Sequence, residues 1–160
     1  IGEALGMNKA SLYHYVRSKE DLLYRLILRA GRRLRDVSQD PELERLPAAA
    51  ALERLVREHC RVVFEHRAEL GVLVHQRRYL ELDSDGEVTY RERVYVDRLK
   101  AVIGRGVEEG AFRRIDPSMA AQLVLDTVNG LLRWYRPDGK STRESVADEV
   151  WRFVRGGLVA

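Results

Sequence analysis

Cysteine is almost absent from the 160-residue sequence, since Cys60 is the only one. An internal disulfide and a paired-cysteine metal site are therefore excluded, and we expect a reducing compartment, the cytoplasm. No apolar run approaches the roughly 20 residues that span a bilayer, and the first residues lack the pattern of a signal peptide. We expect no membrane partner.

Proline is also scarce, with four residues, while 45% of the chain is hydrophobic and 33% is charged. This composition excludes disordered, collagen-like and disulfide-rich classes. The net charge of +3 is compatible with nucleic-acid binding but does not establish it. Apolar residues recur at helical spacing and no run alternates long enough for a strand, so we expect an all-α fold.

Capping residues predict where helices begin and end. Ser18, with an acid three residues later, predicts a helix from Ser18 to about Arg35. A long helix is expected to stop at Gly110 in a left-handed conformation. Asp116-Pro117 is expected to open a helix that runs to Arg136.

Two further signals concern a loop and the last helix. Residues 38–47 combine turn formers with two prolines and predict a loop. After Pro47 a helix is expected to place His59 and His66 on its apolar face. Ser141 with Glu144 predicts the capping box of the last helix.

The most informative segment is IGEALGMNKASLYHYVRSKEDLL, residues 1–23. Ala4 lets two short helices approach closely, Gly6 permits a sharp turn, and Asn8 caps the second helix. A generic helix-turn-helix corner is the alternative interpretation. The combined glycine turn, double cap and Leu-Tyr-His-Tyr run resembles the DNA-binding motif of the TetR family of transcriptional regulators.

This resemblance implies roles for six residues. Three match positions that reach base edges: Lys9, Ala10 and Ser11. Three match positions that contact phosphates: Tyr13, His14 and Lys19. The family has another helix before the residue that matches Ile1, and without such a helix the chain is not expected to bind DNA by itself.

The resemblance also implies a two-part, TetR-like organisation. Residues 1–37 would form a partial helix-turn-helix domain with its connecting helix, and residues 38–160 a ligand-binding and dimerisation domain. A homodimer would present two recognition helices to DNA half-sites roughly 34–36 Å apart. The partner would be double-stranded operator DNA, with repression the expected mode of regulation.

The last two long helices carry the apolar faces expected at a dimer interface. The candidate interface residues are Leu125, Val128, Leu132, Val150, Trp151 and Val154. These faces are alternatively part of the core of one subunit.

Aromatic, basic and histidine side chains among the central helices predict a site for a large amphipathic ligand. The candidate ligand residues are His66, Arg77, Tyr79, Tyr95, Arg98 and Trp134. The segment from His66 to Pro137 resembles regulators of fatty-acid or sterol breakdown, which implies an acyl-CoA effector. Another aromatic or hydrophobic effector, as in drug-efflux control, is the alternative, and we expect no cofactor.

An enzyme or metal-binding protein using His59 and His66 is a more distant alternative. The two histidines are seven residues apart, and the usual helical ligand pairs, His with His four residues on or Glu-x-x-His, are absent. We therefore expect no catalytic residue and no metal site. A helical interaction or membrane-surface module is also disfavoured, because acidic residues interrupt every basic face.

Overall fold

The computed structural model describes residues 18–75 and 86–159, and these two ranges contain helices and no strand. The all-α expectation is confirmed for them. The helices are α1 (Lys19–Ser38), α2 (Glu42–Arg45), α3 (Ala48–Glu65), α4 (Arg67–His75), α5 (Glu87–Glu108), α6 (Pro117–Asn129), α7 (Leu131–Trp134) and α8 (Arg143–Leu158).

Helix α1 begins where its capping serine predicts. Ser18 Oγ accepts a hydrogen bond from the Asp21 backbone N–H at 3.1 Å. Ile27 and Leu34 on its inner face are buried, and the helix packs against α4 and α5. It ends at Ser38, three residues beyond the predicted end. The division at residue 37 therefore falls within α1 and stays a prediction.

The predicted loop between α1 and α3 contains the short helix α2, which the sequence analysis missed. Asp40 Oδ1 accepts a hydrogen bond from the Glu42 N–H at 3.0 Å and so begins this turn. Leu43 is 1% exposed and anchors the turn on the core.

Helix α3 lies at the centre of the fold and contacts α1, α5, α6 and α8. Leu52, Leu55 and Val56 on it are completely buried. The prediction that His66 continues its apolar face is wrong, because α3 ends at Glu65 and His66 is the C-cap. The backbone leaves helical geometry there, and the half-buried His66 side chain lies outside the helix.

Two glycines shape the turn after α5. Gly110 has a φ of 72°, which confirms the predicted left-handed helix end. A Cβ on Gly106 would lie 2.1 Å from the Phe112 ring, so only glycine lets this ring fold back onto the helix. Asp116 Oδ1 then accepts the Met119 N–H at 2.8 Å, which confirms the predicted cap of α6.

Two predicted boundaries near the C-terminus are wrong. The helix opened by Asp116 does not run unbroken to Arg136, since α6 ends at Asn129 and α7 begins after Gly130, a residue with low helix propensity. The last helix is capped by Thr142 and not by Ser141. Thr142 Oγ1 accepts the Ser145 N–H at 3.1 Å, because the preceding turn extends one residue further than expected.

Arg105 on α5 fixes the α2 segment to the rest of the fold. Its guanidinium donates hydrogen bonds to the backbone carbonyl oxygens of Leu43, Glu44 and Leu46 at 2.9–3.1 Å. These carbonyls belong to the end of α2, where no intrahelical partner is available.

We predict that Arg105→Met lowers the free energy of unfolding by about 2–3 kcal/mol, because three carbonyl groups lose a charged donor. Urea unfolding followed by circular dichroism measures this change. Arg45→Met is the matched control, since Arg45 is 76% exposed and its ion pair is with Glu42 on its own helix. Equal stabilities of the two variants would contradict the anchoring role.

Candidate functional site

A cavity of about 190 Å³ lies at the centre of the described helices. Helices α1, α3, α4, α5 and α6 each contribute side chains to its wall. The lining residues are Leu34, His59, Leu70, Val74, Glu92, Tyr95, Val96, Gln122, Leu125, Asp126 and Asn129. The wall therefore combines an apolar surface with a few polar groups, as ligand sites commonly do.

A hydrogen-bonded pair joins α3 to α5 at the cavity wall. Tyr95 Oη lies 3.1 Å from His59 Nδ1, and the two rings meet edge to face with centroids 5.2 Å apart. Both residues are 1% exposed. The pair is thus removed from water on both helices.

Burial sets the protonation states of this pair. Desolvation lowers the pKa of His59 from 6.5 to about 4, partly offset by the neighbouring Asn129 side chain. Burial likewise raises the pKa of the Tyr95 hydroxyl far above its ordinary value. At neutral pH the cavity therefore contains a neutral imidazole beside a protonated phenol.

Two buried polar atoms, His59 Nε2 and Asn129 Oδ1, meet at the cavity wall and have no other hydrogen-bond partner among the described residues. The side-chain hydrogen bond between His59 and Asn129 raises the imidazole pKa against the larger effect of burial. These two atoms form a polar spot, His59 with Asn129, in an otherwise largely apolar wall.

The structure does not bring the sequence-predicted ligand residues together in this cavity. Tyr95 lines it, but Arg98 makes an ion pair with Glu44 at 3.2 Å, outside the cavity. Trp134 is 56% exposed on α7. Arg77 and Tyr79 lie outside the described residues.

His66 lines a different cavity, a groove of about 430 Å³ between α1 and α3. His59 and His66 therefore do not share a site. Among the described residues, no group of three or more His, Cys, Asp or Glu side chains is arranged to hold a metal ion.

Sequence reasoning missed Asn129 altogether, and it placed His59 on the apolar face of its helix without including it among the candidate ligand residues. Asn129 is a neutral amide near the end of a mostly apolar helix, directly before Gly130. The signal that could have identified Asn129 was its polar side chain in a mostly apolar helix, because a buried amide needs a hydrogen-bond partner.

An exposed apolar groove of about 550 Å³ lies between α6 and α8. Its lining residues are Arg113, Ile115, Ala120, Leu123, Val124, Thr127, Arg152, Phe153, Val154, Gly156, Gly157 and Leu158. Leu123 is 57% exposed and Phe153 is 72% exposed. Large apolar side chains of such exposure mark a surface that another molecule covers.

The predicted dimer residues lie mostly inside the subunit. Five of them are 0–7% exposed: Val128, Leu132, Val150, Trp151 and Val154. Leu125 is half-buried and lines the central cavity. Their burial favours the alternative interpretation, in which these faces belong to the core of one subunit. Contacts of these residues with a second subunit stay a prediction, since α6 and α8 each carry apolar residues on two sides.

Comparison with known proteins identifies the family. Residues 45–158 match the family described as "Tetracyclin repressor-like, C-terminal domain". The chain belongs to this family, the TetR regulators.

Curated relatives support the same assignment. The repressor KstR2 of Mycobacterium tuberculosis is 29% identical over 99% of this chain and 80% of its own length. The regulator NfxB of Pseudomonas aeruginosa is 32% identical over 98% of this chain and 81% of its own. The chain is a TetR-family transcriptional regulator with similarity to KstR2.

Solved structures confirm the TetR-like fold. PfmR from Thermus thermophilus has a TM-score of 0.83 and 31% identity, covering 99% of this chain and 87% of its own. AibR, crystallised with isovaleryl coenzyme A and operator DNA, has a TM-score of 0.76 over 95% of this chain and 83% of its own. At 24% identity, AibR supports the fold alone.

The DNA-contacting residues that the TetR resemblance implies lie almost entirely outside the described residues. This applies to Lys9, Ala10, Ser11, Tyr13 and His14. Lys19 is the first residue of α1. Their contacts with DNA therefore stay predictions. Within the described residues, no helix of this TetR chain is long and apolar enough to cross a membrane.

Helix α4 is fixed at two points in the TetR fold. Glu69 accepts a hydrogen bond from Arg33 Nε of α1 at 3.0 Å, and Arg29 Nε lies 3.8 Å from the same carboxylate. Arg67 donates to the backbone carbonyl oxygens of Leu132 and Tyr135. A helix that lines the cavity is thereby joined both to α1 and to the α7 segment.

The buried His59 predicts a specific acid sensitivity. Its folded-state pKa of about 4 lies below the unfolded value of 6.5, so the unfolded chain binds a proton that the folded chain excludes. This contribution to stability is complete above pH 6.5 and is lost as the pH falls from 6.5 towards 4.

We predict that the stability of the wild-type chain falls more steeply with acid over this range than that of His59→Gln. The difference in slope should approach about 1.4 kcal/mol per pH unit. Urea unfolding at a series of pH values measures it. His66→Gln is the control because His66 lies in the other groove, and parallel curves for wild type and His59→Gln would contradict a buried neutral His59.

Proposed function

We propose that this TetR-family regulator is a homodimeric repressor that leaves its operator when an apolar effector enters the central cavity. The observation that carries the proposal is the placement of α1. This helix begins directly after the helix-turn-helix sequence, and its Leu34 lines the cavity. One rigid element thus connects the DNA-binding sequence to the ligand wall.

The chemistry of the wall supports an apolar effector. Leu70, Val74 and Leu125 supply apolar surface, and the polar spot supplies one point for orientation. An acyl-CoA thioester is the effector we propose, because the segment from His66 to Pro137 resembles regulators of fatty-acid or sterol breakdown. The cavity of about 190 Å³ suits the acyl part, with the coenzyme A part outside. An aromatic or hydrophobic compound is the second candidate, which the similarity to NfxB keeps open without naming an effector.

On the DNA side, the proposal assigns base contacts to Lys9, Ala10 and Ser11 and phosphate contacts to Tyr13, His14 and Lys19. A helix of this kind enters the major groove with its N-terminal residues at the base edges. Two copies held by one symmetric interface would read two half-sites of one operator.

The apolar groove between α6 and α8 is the surface we assign to the dimer. Pairing it with its copy would cover Leu123 and Phe153, which are otherwise exposed to water. Burial of apolar area of this kind is the main favourable term in stable association. The two α1 helices would then have a fixed separation set by α6 and α8.

Ligand entry would change that arrangement through α4. Leu70 and Val74 on α4 line the cavity, and Glu69 on the same helix holds Arg33 of α1. A ligand that displaces α4 therefore displaces α1 through this ion pair. Operator affinity falls if the two recognition helices leave their half-site spacing.

The direct test is native mass spectrometry of the chain with and without acyl-CoA, beside a mobility-shift assay. The DNA is selected from random duplexes by the full-length protein. A dimer that retains acyl-CoA and releases DNA supports the proposal. A dimer that binds DNA but ignores acyl-CoA removes the lipid assignment, and a chain that selects no DNA removes the repressor.

We predict that Phe153→Asp converts the dimer to a monomer of 18.4 kDa, because it places a charge in the apolar groove. Sedimentation velocity measures the mass. Arg155→Asp is the matched control, since Arg155 is exposed on the same helix but does not line the groove. A dimeric Phe153→Asp variant, or a monomeric wild type, would contradict this interface.

We predict that Glu69→Gln binds effector normally but weakens its effect on operator affinity by about 0.5–2 kcal/mol. The reason is that the link from α4 to α1 loses its charge. Calorimetry for the effector and mobility shifts for DNA separate the two quantities. Glu65→Gln, which removes the same charge from a pair with Arg61 inside α3, should leave the coupling intact. Unchanged coupling in Glu69→Gln would show that α1 moves by another route.

A further inference from the structure

The central cavity is closed at one end by buried side chains and opens at the other. Tyr95 and His59 are each 1% exposed, and Leu70 on α4 is completely buried. On the same wall, Gln122 and Asp126 are exposed to solvent. The cavity therefore has a floor, formed by Tyr95, His59 and Leu70, and a mouth beside Gln122 and Asp126.

The core behind the floor is filled. Leu99 lies one turn from Tyr95 on α5, Val56 lies one turn from His59 on α3, and both are completely buried. The hydrogen bond of 3.1 Å between Tyr95 Oη and His59 Nδ1 fixes the two floor residues to each other. Extra carbon atoms in a close-packed interior force side chains out of their preferred rotamers. A ligand longer than the cavity therefore meets packed side chains at the floor.

The volume of the cavity limits the apolar part of a ligand. An apolar cavity of about 150 Å³ is sufficient to bind benzene. In proportion, the cavity of about 190 Å³ holds about seven or eight carbon atoms. A hexanoyl or octanoyl group fits this space, whereas a dodecanoyl chain or a fused-ring body is larger than it.

Leu70 is the floor residue that a substitution can shorten without breaking a hydrogen bond. Its side chain is wholly apolar, whereas Tyr95 and His59 are bonded to each other. We infer that the floor restricts the effector to short or medium acyl groups, and that Leu70 sets the limit of chain length. This inference rests on the proposed function, because it concerns the acyl part of the effector proposed there.

The test is calorimetric titration of the full-length protein with five straight-chain thioesters: butanoyl-, hexanoyl-, octanoyl-, decanoyl- and dodecanoyl-CoA. We expect the affinity to rise about fourfold for each methylene group until the cavity is filled, at hexanoyl or octanoyl. Beyond that length the affinity should stop rising or fall, because further methylene groups find no space in the cavity.

Leu70→Ala removes an isopropyl group from the floor and should move the limit to a chain longer by about two methylene groups. Leu52→Ala is the matched control, since Leu52 is also completely buried but does not line the cavity. The control should keep the limit of the wild type. Circular dichroism verifies that each variant folds, and the wild-type series tests the size limit independently of both variants.

The outcomes separate this inference from the proposed function. An affinity that rises steadily to dodecanoyl-CoA, or that does not change with chain length, would overturn the size limit and leave an acyl-CoA effector in place. Binding of none of the five thioesters would contradict the proposed effector and the inference with it. A limit that Leu70→Ala leaves unchanged, or that Leu52→Ala moves equally, would overturn the role of Leu70.

Discussion

The hydrogen bond between Tyr95 and His59 is the interaction on which the cavity depends. It joins α5 to the central helix α3 with both partners removed from water, at 3.1 Å. A buried polar pair is favourable only while its hydrogen bonds are made, so the two helices are held in one register. That register positions His59 Nε2 towards Asn129 and leaves the polar spot in the wall.

The cavity is useful to a regulator only because its wall is connected to other parts of the molecule. Helix α4 lines it and is fixed to α1 by Glu69 and to the α7 segment by Arg67. Helix α6 also lines it, and on its other side carries Leu123 of the exposed groove. A ligand-induced change in the cavity would therefore reach both the connecting helix and the proposed dimer surface without any additional element.

Local signals predicted the fold well, whereas the site depended on contacts that a single sequence does not specify. Ser18, Gly110 and Asp116 act on their immediate neighbours, and each was predicted correctly. Among the residues that the structure describes, Tyr95 was the one predicted ligand residue that lines the cavity. Arg98 was misassigned because its partner Glu44 is 54 residues away in sequence. The predicted dimer residues are buried inside the subunit because both sides of α6 are apolar, and periodicity does not distinguish the core side from the open side.

The proposed ligand-induced switch is tested most directly by the distance between the two α1 helices of a dimer. A nitroxide label at Arg32→Cys suits it, because Arg32 is exposed, while Cys60 is buried with a thiol pKa raised to about 12 and stays unlabelled. Electron–electron double resonance would compare the dimer with and without the ligand that native mass spectrometry retains. We predict that the distance between the two labels changes when the ligand binds, and an identical distance in both states would contradict the proposed switch.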